Sequence, residues 1–176
     1  MPSSKVIEFI IGGCRSGKSR YALESASRFS VKKRTFVATC VPLDDEMRER
    51  VARHQQERGA AWSTIEAPLE LPEAILEKGA SSDVILVDCL TLWISNLLME
   101  SEALDTVFDH VGRLLKSLEQ ASCSIIIVSN EVGTGIVPEN RLARLYRDAV
   151  GWTNQRIATH ADRVFWMVAG IPVQIK

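Results

Sequence analysis

At Gly12-Gly13-Cys14-Arg15-Ser16-Gly17-Lys18-Ser19 the chain matches G-x-x-x-x-G-K-[ST], the pattern of a phosphate-binding loop. The stretch follows an apolar run typical of a strand, Lys5–Ile11, and begins a helical pattern, Gly17–Phe29. In such a loop, glycines let the backbone N–H groups curl around phosphate oxygens, and the helix N-terminus adds partial positive charge. At average composition, a chance match is expected in under ~1 % of chains of this length. We therefore predict that the loop binds the phosphates of a nucleotide.

Side chains of this loop and of a later strand supply the polar groups that a nucleotide needs. Lys18 is placed to reach the β- and γ-phosphates, and the Ser19 hydroxyl is a ligand for Mg²⁺. The apolar run Val84–Val87 predicts a buried strand that ends in Asp88, where phosphate-loop proteins carry an acid that holds Mg²⁺ directly or through water. The alternative is an ordinary strand-end aspartate that caps the next helix. We predict Mg²⁺ as the cofactor, with Ser19 and Asp88 as metal residues.

The rest of the chain alternates short apolar runs with helical patterns. The predicted strands are Lys5–Ile11, Arg34–Cys40, Trp62–Glu66, Asp83–Asp88, Ser124–Ser129, Arg163–Val168 and Val173–Lys176. The predicted helices are Gly17–Phe29, Asp44–Gly59, Glu70–Lys78, Thr91–Met99, Ala103–Gln120 and one from Pro138-Glu139-Asn140 to about His160. This order predicts an α/β fold with a mainly parallel sheet and helices on both faces. A turn at Gly170-Ile171-Pro172 is expected to join the last two strands into an antiparallel edge hairpin.

Length and charge narrow the class of protein. With 176 residues, the chain is expected to form a single domain, residues 1–176. Lys plus Arg number 21 against 22 Asp plus Glu, a net charge of −1, which argues against a nucleic-acid-binding surface. No apolar run approaches the ~20 residues of a membrane span. The N-terminus lacks a signal-peptide pattern and the four cysteines are scattered, so we expect free thiols and a cytoplasmic protein.

The predicted helix Asp44–Gly59 carries charge on almost every turn and only two large apolar residues. Glu46, Arg50, His54 and Arg58 lie four positions apart and form one stripe along it. A histidine between two arginines can face phosphates and act as an acid, a base or a nucleophile. The stripe is equally an ordinary solvated helix face with an incidental histidine, which is the commoner situation for a lone exposed histidine.

A second loop follows a buried strand at Ser129–Gly135 and contains two glycines. Ligands of open α/β sheets bind beyond the carboxyl ends of the strands. The loop therefore lies at the same edge of the sheet as the phosphate loop and Asp88. We consider two interpretations, a wall of the acceptor pocket and a mobile connection.

These motifs are similar, as a set, to those of a known family. The stretches that carry the similarity are Phe9–Ser19, Asp44–Met47 with Arg50 and His54, Trp62–Glu66, Val87–Leu98, Ser129–Leu142, Gly151–Arg156 and Gly170–Lys176. Together they resemble the bifunctional adenosylcobinamide kinase/adenosylcobinamide-phosphate guanylyltransferases of cobalamin assembly. The resemblance covers essentially the whole chain, and its most specific part is the stretch Asn130–Asn140.

The resemblance implies an enzyme with two reactions. ATP or GTP first phosphorylates the aminopropanol hydroxyl of adenosylcobinamide, and GTP then donates GMP to that phosphate, giving adenosyl-GDP-cobinamide and pyrophosphate. The second reaction is implied to pass through a GMP-histidine intermediate on His54, with Lys18 as the other catalytic residue, which favours the nucleophilic interpretation of this histidine. The alternative is a small-molecule kinase without guanylyltransferase activity. A GTP-dependent switch would carry the guanine-recognition motif Asn-Lys-x-Asp, which is absent from the sequence.

The resemblance also implies a set of site residues and an assembly. Nucleotide contacts would come from Gly12, Gly13, Cys14, Arg15, Ser16, Gly17, Lys18, Ser19, Thr39, Cys40, Val41, Gln55, Gln56, Glu57, Arg58, Glu66 and Asp88. The family often has a small residue in place of Cys14, and the thiol should be tolerated because the loop works through its backbone. Family members are RecA-like α/β proteins that assemble as trimers. We therefore expect a homotrimer that binds GTP, ATP and the corrinoid adenosylcobinamide.

Overall fold

A computed structural model describes residues 5–29, 32–42, 44–45, 48–49, 52 and 61–176 of the chain. Within these residues seven strands and five helices follow one another in near-regular alternation. The strands are β1 Ile7–Gly12, β2 Arg34–Ala38, β3 Trp62–Glu66, β4 Val84–Asp88, β5 Ser124–Asn130, β6 Arg163–Val168 and β7 Ile171–Gln174. The helices are α1 Lys18–Arg28, α2 Leu71–Gly79, α3 Leu90–Glu100, α4 Leu104–Gln120 and α5 Arg141–His160.

All seven strands belong to one sheet, in the order β3-β2-β4-β5-β1-β6-β7. Every neighbouring pair is parallel except β6 and β7, which are antiparallel at the edge. The strands at the centre are covered on both sides, which explains why β4 and β5 have continuous rather than alternating apolar sequences. The predicted fold class is confirmed.

Helices cover both faces of this sheet and enclose two apolar cores. On one face α1 alone packs through Tyr21, Ala22 and Ala26 against strand residues such as Ile10 and Leu86. On the other face α2, α3, α4 and α5 enclose the larger core, which contains the fully buried Trp93, Ile75, Leu114, Ile125 and Ile157. Among the helices that the structure describes, none is long and apolar enough to cross a lipid bilayer.

The terminal hairpin differs from the predicted one in the position of its turn. The turn consists of Ala169 and Gly170, and β7 already begins at Ile171, two residues before the predicted start. Both turn residues have positive φ, 51° and 84°, as a two-residue hairpin turn of the right-handed twist requires. Pro172 does not interrupt the strand, because β7 lies at the edge of the sheet, where a missing N–H is tolerated.

The predicted charged helix lies mostly outside the described residues. At its start, the backbone N–H of Arg48 donates to the carbonyl of Asp44 at 3.1 Å, the i, i+4 pattern of an α-helix. The remainder of Asp44–Gly59 stays a prediction.

Close packing joins the phosphate loop to the terminal hairpin. A Cβ atom at Gly12 would lie 2.7 Å from the backbone oxygen of Met167 on β6. Gly17 has a φ of 92°, and a Cβ there would lie 3.3 Å from the Cα of Gly170 in the hairpin turn. The N–H of Gly170 also donates to the carbonyl of Ser16 at 3.1 Å. The first and last elements of the described chain therefore support each other.

This packing predicts different responses at two adjacent glycines. Gly12→Ala forces a methyl group against a backbone oxygen, and we expect a loss of about 1–3 kcal/mol in the free energy of unfolding. Gly13→Ala is the matched control, because the methyl group it adds would have no atom within 4 Å and the φ of residue 13 is not positive. Urea unfolding of both variants measures the difference. Equal stabilities would contradict the close approach of the two backbones.

Candidate active site

The residues predicted to bind nucleotide meet at the carboxyl edge of the sheet. Strand register aligns Glu66 with Ala38 and Ala38 with Asp88, so the ends of β3, β2 and β4 form one row. Gly12, the first residue of the phosphate loop, aligns with Asn130 at the end of β5. This is the edge at which open α/β sheets bind their ligands.

The phosphate loop connects β1 to α1 through two residues in the left-handed region. Arg15 has a φ of 54° and Gly17, the N-cap of α1, a φ of 92°. The ammonium group of Lys18 folds over the loop and donates to the carbonyl of Gly13 at 2.5 Å. Its Nζ also lies 3.4 Å from the hydroxyl oxygen of Ser16. The cation is thus held inside the loop that would surround the phosphates, while Cys14 and Arg15 are exposed.

Asp88 and Lys18 lie close enough to act on one thiol. Burial raises the pKa of Cys89 to about 11, the negative charge of Asp88 contributes to the rise, and the positive charge of Lys18 opposes it. The carboxylate at the end of β4 and the ammonium of the phosphate loop therefore share one local field. The N-cap residue of α3 is Cys89, and its side chain makes no capping hydrogen bond, so Asp88 is not the cap of that helix.

The donors at this edge suit Mg²⁺. The Ser19 hydroxyl in the first turn of α1 and the Asp88 carboxylate are hard oxygen ligands, and both side chains are only partly buried. Among the described residues, no group of three or more His, Cys, Asp or Glu forms a cage for a metal. A pair of protein oxygens suits Mg²⁺ in particular, because this ion is commonly bound by one or two side chains together with substrate phosphates and water.

Thr39 holds the backbone next to Asp88. Its buried hydroxyl donates to the carbonyl of Cys89 at 2.8 Å and accepts from the N–H of Cys89 at 2.9 Å. Its own carbonyl accepts from the side-chain amide of Asn96 at 2.8 Å. These contacts occupy the Thr39 side chain with the β4–α3 connection. Of its predicted partners in nucleotide contact, Cys40 is partly buried and Val41 exposed.

A second polar network lies behind the site and includes residues that sequence analysis does not single out. The side chain of Asn130 donates to the Thr91 hydroxyl at 3.1 Å, and Asn154 donates to the Asn130 carbonyl at 3.1 Å. The Ser129 hydroxyl donates to Asn154 at 2.7 Å. Tyr146 hydrogen-bonds to Thr91, and burial raises its pKa to about 12. The only sign of Asn154 in the sequence is a polar residue on an otherwise buried helix face, which is a weak signal.

The β5–α5 connection, residues 131–140, is held at several points. The N–H of Glu131 donates to the carbonyl of Gly12 at 3.0 Å, which ties the start of this connection to the phosphate loop. Arg147 donates to the carbonyl of Gly133, and Asn140 caps α5 by accepting from Ala143 N–H at 3.0 Å. These bonds favour a fixed wall of the site over a mobile connection.

Two further groups of predicted residues stand apart. Glu66 is exposed at the end of β3, two strands away from Asp88 in the sheet. His54, Gln55, Gln56, Glu57 and Arg58 lie outside the described residues.

The Thr39 contacts predict a measurable loss on removal of its hydroxyl. Thr39→Val is close to isosteric but leaves the buried N–H of Cys89 without its partner, and we expect a loss of about 1–3 kcal/mol in unfolding free energy. Thr39→Ser keeps the hydroxyl and removes one methyl group, at about 1 kcal/mol or less. Urea unfolding compares the two. A serine variant as unstable as the valine variant would show that the methyl group, not the hydroxyl, matters.

Comparison with solved structures is consistent with this architecture. The RadB recombinase superposes with a TM-score of 0.56 at 15 % identity, over 92 % of this chain and 73 % of that one. A phosphate-loop-type match of similar quality is a solved ATPase domain, with a TM-score of 0.54 at 11 % identity, over 92 % of this chain and 69 % of that one. At such identities the likeness shows the fold alone, and the fold is the expected RecA-like one.

Sequence comparison reaches further. The bifunctional adenosylcobalamin biosynthesis protein CobP of Pseudomonas aeruginosa is 40 % identical over 171 residues, covering 96 % of each chain. The bifunctional adenosylcobalamin biosynthesis protein CobU of Salmonella typhimurium is 39 % identical over 179 residues, covering 95 % of this chain and 98 % of that one. The family profile described as cobinamide kinase/cobinamide phosphate guanyltransferase matches residues 8–175. The resemblance of the motifs is thereby confirmed, and the chain belongs to the cobinamide kinase/cobinamide phosphate guanyltransferase family.

Proposed function

We propose that this chain, as one domain of residues 1–176, phosphorylates adenosylcobinamide with ATP or GTP and then transfers GMP from GTP to the product. The observation that carries the proposal is the meeting of the phosphate loop, Lys18 and Asp88 at one edge of the sheet, in a chain that matches the family along nearly its whole length. The products of the second reaction are adenosyl-GDP-cobinamide and pyrophosphate.

In the kinase step, the aminopropanol hydroxyl of the corrinoid attacks the γ-phosphorus and the bond to the β-phosphate oxygen breaks. The backbone N–H groups of the loop and the N-terminus of α1 hold the phosphates. Lys18 leaves the Gly13 carbonyl and follows the negative charge that develops on the leaving group. Mg²⁺, held by Ser19 and Asp88, would neutralise charge on the phosphate oxygens when bound.

In the guanylyltransferase step, a neutral ring nitrogen of His54 attacks the α-phosphorus of GTP and pyrophosphate leaves. An oxygen of the cobinamide phosphate then attacks the same phosphorus and releases the histidine. Lys18 is proposed to stabilise the leaving pyrophosphate. The remaining nucleotide contacts are proposed at the phosphate loop, at Cys40 and Val41, at residues 55–58, at Glu66 and at Asp88. Because the Thr39 side chain is fully engaged with Cys89, its proposed contribution is to position the neighbouring Asp88.

The alternative is a small-molecule kinase in which His54 takes no part, so the covalent intermediate is the decisive test. Incubation with GTP labelled at the α-phosphate, with Mg²⁺ and without corrinoid, should attach label to the wild-type protein. The label should be acid-labile and base-stable, as a phosphoramidate is, and absent from His54→Ala. His160→Ala is the matched control, because His160 is exposed at the last turn of α5. An unlabelled wild-type protein that still binds GTP would leave the kinase alone.

We also propose that the protein is a cytoplasmic homotrimer. The hairpin of β6 and β7 presents an exposed apolar face formed by Trp166, Val168, Ile171, Val173 and Ile175. Contiguous exposed apolar surface of this kind is typical of a contact between protein chains. All four cysteines are free thiols, which suits a reducing compartment.

The assembly is checked by light scattering of the eluting protein. The expected mass is three times the 19.6 kDa of one chain. Val173→Glu places a charge opposite Trp166 on the hairpin face and should yield single chains, whereas Leu76→Glu, an exposed apolar position on α2, should leave the trimer intact. A wild-type mass of one chain would contradict the trimer, and a trimer that tolerates Val173→Glu would contradict the hairpin as its contact.

A further inference from the structure

An apolar groove lies between the second half of α3 and the first turns of α5. Its volume is about 260 Å³, and its lining includes Ser95, Leu98, Met99, Asn140, Leu142 and Tyr146. Leu98 is buried at its floor, whereas Met99 and Leu142 are 67 % and 39 % exposed at its rim. Three hydrogen-bonding side chains, those of Ser95, Asn140 and Tyr146, interrupt the apolar lining. The groove therefore suits a ligand that is mostly apolar and carries a few polar substituents.

One end of the groove reaches the catalytic edge of the sheet. Tyr146 lines the groove and hydrogen-bonds to Thr91, whose hydroxyl lies 3.0 Å from the sulfur of Cys89, the residue after Asp88. Along α3, Ser95 follows Leu90 by five residues, which is about 8 Å at 1.5 Å per residue. The groove thus begins within about 10 Å of the end of β4 and leads away from it.

Two exposed apolar residues precede the groove in the β5–α5 connection. Ile136 is 96 % and Val137 63 % exposed, four and three residues before the groove residue Asn140. The carbonyls of Pro138 and Glu139, which follow them, accept from Arg144 at 3.0 and 2.6 Å. Because the backbone is held on both sides, these two side chains are presented to solvent at a loss of hydrophobic free energy that a bound apolar surface would recover.

We propose that this groove, together with Ile136 and Val137, binds the corrin macrocycle of the acceptor. The inference rests on the proposed function, which supplies a corrinoid as the substrate class. The rim of a corrin ring carries methyl groups and amide-bearing chains, which match the apolar lining and its three polar side chains. A volume of about 260 Å³ is below the ~300–1,000 Å³ of an enclosing ligand pocket, so the groove seats one edge of the ring.

This placement leaves the reacting arm of the substrate free. With an edge of the ring in the groove, the aminopropanol arm extends past Tyr146 and Thr91 toward Asp88 and the phosphate loop. A distance of about 10 Å is within reach of a side chain built on such a linker. A second copy of this chain is the other conceivable occupant, but the wider apolar face of the terminal hairpin already offers a surface for that contact.

The test places a negative charge in the groove. Met99→Asp and Leu142→Asp should each raise the ratio of the KM for cobinamide to the KM for GTP at least tenfold, because the apolar contact with the ring is lost. Met99→Leu should restore the ratio, since it keeps the apolar side chain. Leu76→Asp is the matched control, an exposed leucine on α2 outside the groove, and should leave the ratio as in the wild type. Equilibrium dialysis with dicyanocobinamide measures the loss of binding directly.

The outcomes separate this inference from the proposed function. A wild-type protein that neither binds nor phosphorylates cobinamide would overturn the proposed function and the groove with it. A wild-type protein that acts on cobinamide, with unchanged KM ratios in both aspartate variants, would overturn the groove alone. A change in the oligomeric mass of the aspartate variants, with unaltered dicyanocobinamide binding per chain, would assign the groove to a second copy and overturn the inference.

Discussion

The close approach of two backbones, at Gly12 and Met167, is the constraint on which the site depends. Parallel pairing of β1 with β6 brings residue 12 so near the Met167 carbonyl that no Cβ atom fits between them. The start of the phosphate loop is thereby fixed by the sheet itself. From there the chain turns through two left-handed residues into α1, so the loop has its shape without a ligand. A loop that is already ordered loses little entropy when phosphate oxygens bind to it.

The polar residues around Asp88 illustrate how such a site is kept rigid in an apolar setting. Buried hydroxyls and amides are costly unless they are hydrogen-bonded, and here they bond to one another and to the backbone. Thr39 and Asn96 fix the connection from β4 to α3, and Asn130 and Asn154 fix the end of β5. The carboxylate at the end of β4 thus projects from a backbone whose neighbours leave it little freedom.

Much of this architecture is predictable from the sequence, because it is dictated by local patterns. Apolar runs, helical periodicity and the phosphate-loop motif indicate the parallel sheet and the position of Lys18 and Asp88 at its edge. The predicted hairpin turn lies too late in the chain, because Pro172 resembles a strand breaker unless the strand is known to lie at the edge. The Thr39 contact is not predictable, since periodicity indicates which face of a strand or helix is buried but not which polar groups meet there.

The pairing of β1 has a consequence for the timing of synthesis. Its neighbours are β5 and β6, so hydrogen bonds at Val6 and Ile7 join residues 118 and 155 positions apart. The turn that supports Ser16 comes later still, at Gly170. A nascent chain therefore carries its phosphate-loop sequence long before that sequence has a partner to pack against. Nucleotide affinity arises only when nearly all of the chain has left the ribosome, and folding waits on these distant contacts.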